Sequence, residues 1–216
     1  MLDLDPTHRQ GLLTKAALST TLQATFAEDV FDSAIDAHPH APSSYFGKTM
    51  ASNYFSLARS EVFSYHKAFG DQFSQVAVTP TADQLSLCED KIRIGYVSPD
   101  FNKHSVAYFF EPLISNHNKD KVEVFCYYNN TKVDETTERL QQHADHWRST
   151  VGLNDAQLVE LIQNDGIHIL VDLAGHTDKN RLTAFAYKPA PIQVCLLYTS
   201  DAADEGLGVD LGGRRI

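Results

Sequence analysis

The chain has 216 residues, 43% of them hydrophobic and 21% charged, which is ordinary for a globular protein of one domain or two small ones. Its 28 acidic and 18 basic residues give a net charge of −10, which argues against nonspecific binding to nucleic acid. We expect a cytoplasmic protein with no membrane partner and no disulfides, since the sequence has no long apolar run, no signal peptide and no close pair among its three cysteines.

The first part of the chain, residues 1–78, is predicted to be helical. Apolar residues recur at steps of three and four from residue 14 to residue 35. Prolines then interrupt the pattern, so a break is expected at residues 38–44. A further helix over residues 60–69 is predicted to end at Gly70, because glycine is favourable directly after a helix. Helical hairpins of this size suggest the end of a solenoid.

Residues 79–90 are predicted to be a linker, after which strands alternate with helices. Strands are predicted at residues 91–98, 122–128, 147–150, 167–173 and 191–194. Helices are predicted between them at residues 105–117, 136–144, 154–164 and 180–187. The strand 167–173 is almost continuously apolar, as expected when both faces of a strand are covered. This alternation over residues 91–194 indicates βαβ units and a parallel, Rossmann-like sheet.

Two loops that follow predicted strands carry polar side chains. Ligands bind open parallel sheets at the carboxyl ends of the strands. The first loop places Asp100 and His104 beside a helix start, whose free N–H groups attract anionic or polar ligand atoms. It is not a Gly-x-Gly-x-x-Gly turn, so a dinucleotide site is not expected. In the second loop Gly175 permits close backbone approach, and His176 and Thr177 add a titratable group and a hydroxyl.

The same side chains also have structural interpretations. A histidine in a loop is more often structural or solvated than catalytic, and Asp172 could equally cap a helix or stabilise its own loop. Asp100, His104, Asp172 and His176 could in principle ligate a metal. No His-x-x-x-His or Cys-x-x-Cys spacing supports that interpretation, so neither a metal nor a cofactor is expected.

The end of the chain, residues 195–216, differs from the rest. Apolar periodicity stops after Val194 and glycine becomes dense, as in a flexible tail. The segments 195–205 and 209–216 also resemble, in order and in frame, two parts of a translated sequencing-library adapter. We therefore expect residues 195–216 to be non-native and the natural protein to continue differently after Val194.

An ordered series of motifs runs through residues 45 to 194. It includes Ile-Gly-Tyr-Val-Ser-Pro-Asp-Phe at 94–101, His-Ser-Val-Ala at 104–107 and Asp-Gly-Ile-His-Ile-Leu-Val-Asp-Leu-Ala-Gly-His-Thr at 165–177. The series resembles the start of the catalytic region of O-linked N-acetylglucosamine transferases and their SPINDLY-like relatives, especially bacterial ones with tetratricopeptide arms. The resemblance implies an α/β protein: a tetratricopeptide-like helical segment followed by a partial Rossmann-like lobe of a GT-B glycosyltransferase.

The resemblance also implies a reaction: inverting, metal-independent transfer of N-acetylglucosamine or fucose from a nucleotide sugar to a Ser or Thr of an acceptor protein. The matched His104 and His176 are then candidate catalytic residues, and whether His104 is a base or only positions the donor stays open. The candidate substrate-binding residues are Asp100, Asp172, Gly175, Thr177 and Arg181.

The sequence departs from the family pattern in two places. Lys188 stands where the family usually has arginine, which keeps the charge but loses the planar fork. The family's second lobe is missing, so we expect this chain neither to bind a nucleotide sugar tightly nor to transfer it. Two alternatives stay open: a scaffold with a non-catalytic lobe, and a nucleotide-sugar epimerase, against which the missing glycine-rich turn argues.

Overall fold

A computed structural model describes residues 5–21, 27–54, 57–75, 77–85 and 91–196 of the chain. The described residues fall into two compact units, one ending at Ser74 and the other beginning at Gln75. Within these ranges no helix combines the length and the hydropathy that a membrane span needs.

The first unit is helical, as the periodicity predicted. Its elements are α1 (Arg9–Thr21), α2 (Ala27–Ala37), α3 (Pro42–Ala51), a 3-10 turn (Ser52–Tyr54) and α4 (Arg59–Phe73). The predicted break at 38–44 is confirmed over residues 38–41 only, because α3 already begins at Pro42, whose missing N–H is not needed in the first turn of a helix. A core cluster forms where α1, α2 and α3 pack, with Phe31 as its largest side chain.

The predicted helix end at Gly70 is wrong, because α4 continues through that residue to Phe73. Phe69 and Phe73 are both buried, and their ring centroids lie 5.0 Å apart. Phe73 also meets Tyr45 edge to face at 5.1 Å. Burying one more aromatic side chain is worth about 2–3 kcal/mol, which exceeds the roughly 1 kcal/mol that glycine costs inside a helix.

The second unit is an α/β lobe. Its helices are α5 (Ala82–Leu85), α6 (Ser105–Ser115), α7 (Glu135–His143), α8 (Asp155–Asn164) and α9 (Leu182–Phe185). Its strands are β1 (Ile92–Ser98), β2 (Val122–Tyr128), β3 (His146–Ser149), β4 (Ile169–Asp172) and β5 (Ile192–Cys195). The strands form one parallel sheet in the order β3-β2-β1-β4-β5. The predicted Rossmann-like sheet is thereby confirmed.

A separate core covers each face of this sheet. Side chains of α6 and α7, such as Phe110 and Leu140, pack on one face. Side chains of α8 and α9, such as Leu158 and Phe185, pack on the other. The chain runs from β1 toward β3 and then returns to place β4 on the opposite side of β1. The order of strands therefore reverses between β1 and β4, where open α/β sheets have a crevice at the carboxyl edge.

Two segments differ from their predictions. The predicted helix over 180–187 is only the single turn α9. The predicted linker is described over residues 79–85, and its residues 86–90 lie outside the described ranges. The described part packs on the lobe: the Thr79 carbonyl accepts from Gln163 Nε2 at 3.0 Å, and Gln84 on α5 is 2% exposed. Composition alone suggested a linker, but backbone and side-chain hydrogen bonds to distant residues hold it in place.

Candidate functional site

The two polar loops predicted from the sequence leave the sheet side by side. β1 and β4 are adjacent parallel strands, and Val97 pairs with Asp172 in their register. The loop over residues 99–104 follows β1, and the loop over residues 173–181 follows β4. Both therefore lie at the carboxyl edge, at the point where the strand order reverses.

The loop after β1 places a carboxylate and an imidazole together. The Asp100 N–H donates to the Ser98 hydroxyl at 3.0 Å, which fixes the turn after the strand. His104 caps α6, because its Nδ1 accepts from the Val106 N–H at 3.3 Å. The Asp100 Oδ2 atom lies 3.8 Å from that Nδ1, with 18% of the Asp100 side chain and 44% of the His104 side chain exposed. Both groups are thus accessible to a ligand at this edge.

Asp100 is also where the two loops meet electrostatically. Burial raises the pKa of the Asp100 carboxyl above its ordinary value, while the charges of His104 and Lys179 lower it and that of Asp178 raises it. Asp178 and Lys179 belong to the loop after β4. The pKa of Asp100, which follows β1, is therefore shifted by charged residues of the loop that follows β4.

The loop after β4 is held together from within. The Asp172 carboxylate is fully buried and accepts from the Gly175 N–H at 2.7 Å, the Ala174 N–H at 3.2 Å and the Cys195 thiol at 3.1 Å. Burial raises the pKa of Asp172 to about 6. Gly175 has a φ of 56°, a left-handed conformation that favours glycine. The Thr177 hydroxyl donates to the Ala174 carbonyl at 2.7 Å.

Asp172 and Thr177 therefore stabilise their own loop, which is the structural role that the sequence also allowed for Asp172. His176 lies between Gly175 and Thr177 and is half-buried. Arg181 is buried at the loop's exit, where its Nη2 and Nε atoms donate to Asp155 Oδ1 at 2.9 and 3.2 Å. The guanidinium of Arg181 therefore ties the loop to the first turn of α8.

Sequence reasoning missed the residues that follow β2. The Asn129 side chain donates to the Lys179 carbonyl at 2.9 Å, and Lys179 Nζ donates to Asn130 Oδ1 at 3.1 Å. The Asn130 side chain donates in turn to the Pro99 carbonyl at 2.9 Å. Lys179 has a φ of 57°, which is rare for a residue with a side chain. These hydrogen bonds join the loops that follow β1, β2 and β4. Both asparagines directly follow the predicted strand 122–128, so the rule that ligands bind at the carboxyl ends of parallel strands could have found them.

Among the described residues, no three His, Cys, Asp or Glu side chains are grouped so as to hold a metal ion. Of the four possible ligands named from the sequence, Asp100 and His104 come together. Asp172 is occupied by donors from its own loop and from Cys195.

Comparison with known proteins identifies the family of the chain. The sequence profile of glycosyl transferase family 41 matches residues 52–204, which runs into the segment predicted to be non-native. The probable UDP-N-acetylglucosamine–peptide N-acetylglucosaminyltransferase SPINDLY of Arabidopsis thaliana is 34% identical over 68% of this chain and 17% of its own length. The probable UDP-N-acetylglucosamine–peptide N-acetylglucosaminyltransferase SEC of the same plant is 37% identical over 48% of this chain and 11% of its own length.

A solved structure is similar as well. A mutant of the Thermobaculum terrenum O-GlcNAc transferase matches with a TM-score of 0.78 and 32% identity, over 90% of this chain and 38% of the solved chain. The chain therefore spans less than half of this structure and less than a fifth of the plant relatives.

Proposed function

Since the chain belongs to glycosyl transferase family 41, we propose that it is part of a protein O-glycosyltransferase. In this proposal the second unit is the amino-terminal lobe of a GT-B catalytic region. The whole enzyme transfers a sugar, with inversion and without a metal ion, from a nucleotide sugar to a Ser or Thr of an acceptor protein. The solved O-GlcNAc transferase and the plant relatives, which are peptide N-acetylglucosaminyltransferases by name, support this reaction class.

One observation carries the proposal: an accessible carboxylate and imidazole lie 3.8 Å apart at the switch point of the sheet. Transfer to a hydroxyl requires that a proton leave the hydroxyl and that the departing diphosphate be stabilised. His104 and, on the neighbouring loop, His176 are the candidate catalytic residues for these tasks, and Asp100 beside His104 is a candidate substrate-binding residue.

The remaining predicted site residues support the proposal through the shape of the β4 loop. Asp172, Thr177 and Arg181 hold this loop with internal hydrogen bonds, and Gly175 lets its backbone turn. In the proposal they set how closely the loop backbone approaches the nucleotide sugar. N-acetylglucosamine is the first sugar to test because the relatives' names specify it, and fucose is the second.

A GT-B enzyme encloses its donor between two lobes, and this chain carries one of them. We therefore propose that the 216-residue chain is inactive alone and that its natural continuation after Val194 supplies the second lobe. Sequencing of the unbroken gene tests this: a native genomic sequence that encodes residues 195–216 would refute their non-native origin.

The activity test compares the purified chain with the full-length protein, using nucleotide-activated N-acetylglucosamine and fucose donors with a peptide acceptor. We expect transfer by the full-length protein, none by the chain, and a large loss in His104→Ala. His143→Ala, at the end of α7, is the matched control that should keep activity. Turnover by the chain, or full transfer by His104→Ala, would contradict the proposal. A full-length protein that transfers neither sugar would favour the scaffold.

A further inference from the structure

The hydrogen bonding of His104 fixes where its proton lies. A neutral imidazole has one nitrogen that donates and one that accepts. Nδ1 accepts from the Val106 N–H at 3.3 Å and so caps α6, which leaves the proton on Nε2. In this arrangement neutral His104 can donate a hydrogen bond to a ligand, but its Nε2 has no lone pair with which to remove a proton from a hydroxyl.

Asp100 has the complementary property. Its Oδ2 atom lies 3.8 Å from Nδ1 of His104, which is beyond hydrogen-bond distance. Among the described residues, none donates a hydrogen bond to the Asp100 carboxylate, whereas Asp172 accepts three such bonds. An ionised carboxylate only accepts hydrogen bonds. At the carboxyl edge of the sheet, the Asp100 carboxylate can therefore accept a hydrogen bond from a ligand, and the neighbouring His104 Nε2–H can donate one.

We propose that Asp100 is the proton acceptor of the transfer reaction and that His104 is a hydrogen-bond donor that keeps its proton throughout. This assignment of roles rests on the proposed function. The acceptor hydroxyl gives its proton to the Asp100 carboxylate while its oxygen bonds to the anomeric carbon. The bond from that carbon to the diphosphate breaks, and its electron pair leaves with the nucleotide diphosphate. His104 Nε2 donates to an oxygen of the nucleotide sugar.

The charges that face Asp100 suit a base. Burial and the negative charge of Asp178 raise the pKa of Asp100, which makes its carboxylate a stronger proton acceptor. The charge of Lys179 lowers the pKa of Asp100 and so favours its ionised form. The Lys179 carbonyl accepts from Asn129 and its Nζ donates to Asn130, so both its backbone and its charged end have partners in the loop after β2.

Nuclear magnetic resonance on the 216-residue chain tests both roles without any need for activity. Nitrogen-15 shifts of the imidazole, assigned by their loss in His104→Gln, should show the proton on Nε2. Carbon-13 titration should place the pKa of Asp100 above 3.8, and Asp178→Asn should lower it. A proton on Nδ1 of His104, or an Asp100 pKa at or below 3.8, would overturn the assignment.

Kinetics of the full-length protein test the chemistry. Asp100→Asn should lower kcat by about 100-fold or more, the usual contribution of a general base, with the donor KM within about twofold. Asp100→Glu should recover part of the loss. Asp120→Asn makes the same change in an exposed residue at the amino end of β2 and should leave kcat unchanged. An Asp100→Asn enzyme that keeps kcat within tenfold would refute the role of Asp100 alone, whereas an inactive unmutated protein would refute the proposed function as well.

Discussion

Gln84 holds the segment that precedes the sheet onto the α/β lobe, and its removal should be costly. Its Nε2 donates to the Ile167 carbonyl at 3.0 Å and to the Pro189 carbonyl at 2.7 Å, and its Oε1 accepts from the Thr81 N–H at 2.9 Å. Gln84→Ala leaves these two buried carbonyls without this donor, and each unsatisfied carbonyl costs about 1–3 kcal/mol of stability. We therefore expect the free energy of unfolding to fall by about 2–6 kcal/mol.

Urea unfolding followed by tryptophan fluorescence measures this change, since the single tryptophan of the chain, Trp147, lies against a core of the lobe. Gln163→Ala is the matched control: its Nε2 donates to the Thr79 carbonyl at 3.0 Å, but in an exposed position, so the loss should stay within about 0.5 kcal/mol. Gln84→Met fills the volume without donating and separates packing from hydrogen bonding. Equal effects in Gln84→Ala and Gln163→Ala would refute the reasoning.

Three further predictions concern burial. Burial raises the pKa of Asp172 from 3.8 to about 6, so between pH 4 and 6 the unfolded state loses this proton before the folded state does. The free energy of unfolding should therefore fall by about 3 kcal/mol over that range, and urea unfolding of Asp172→Asn should lack this fall. Burial lowers the pKa of His66 from 6.5 to about 4, so the free energy of unfolding should drop by about 3 kcal/mol as the pH falls from 6.5 to 4. Thermal melts followed by circular dichroism measure this drop, and His66→Gln should abolish it. A Cβ at Gly47 would lie 2.6 Å from Phe31 Cε1, so Gly47→Ala should cost about 1–3 kcal/mol in the same melts, and an unchanged melting temperature would mean that Phe31 yields freely.

The sequence predicted those parts of the fold that local patterns encode. Alternating apolar segments predicted the strands of the parallel sheet, and the prolines predicted an interruption between α2 and α3. Long-range contacts account for the errors. The hydrogen-bond partners of Gln84 lie 83 and 105 residues further along the chain, so no local pattern separates its segment from a linker. Gly70 failed as a helix end for the same reason, since Phe73 gains its burial in part from contact with Tyr45.

The candidate site shows the same division. Asp100 and His104 could be found because they follow a strand, and the carboxyl-edge rule needs only chain order. Lys179 could not be found that way, because its left-handed backbone and its bonds to Asn129 and Asn130 arise where separate loops meet. The ion pair of Arg181 with Asp155, 26 residues away, is likewise invisible in the sequence.

The two loops of the site differ in how their polar groups are used. After β4, the side chains of Asp172, Thr177 and Arg181 are committed to backbone groups or to Asp155, so this loop is a fixed support. After β1, the Asp100 carboxylate and His104 Nε2 lie at the edge and are available to a ligand. Substitutions in this support should therefore act first on stability, and on Asp100 through the charges of Asp178 and Lys179. Substitutions at Asp100 should change the chemistry directly, whereas substitutions at His104 should also remove the cap of α6.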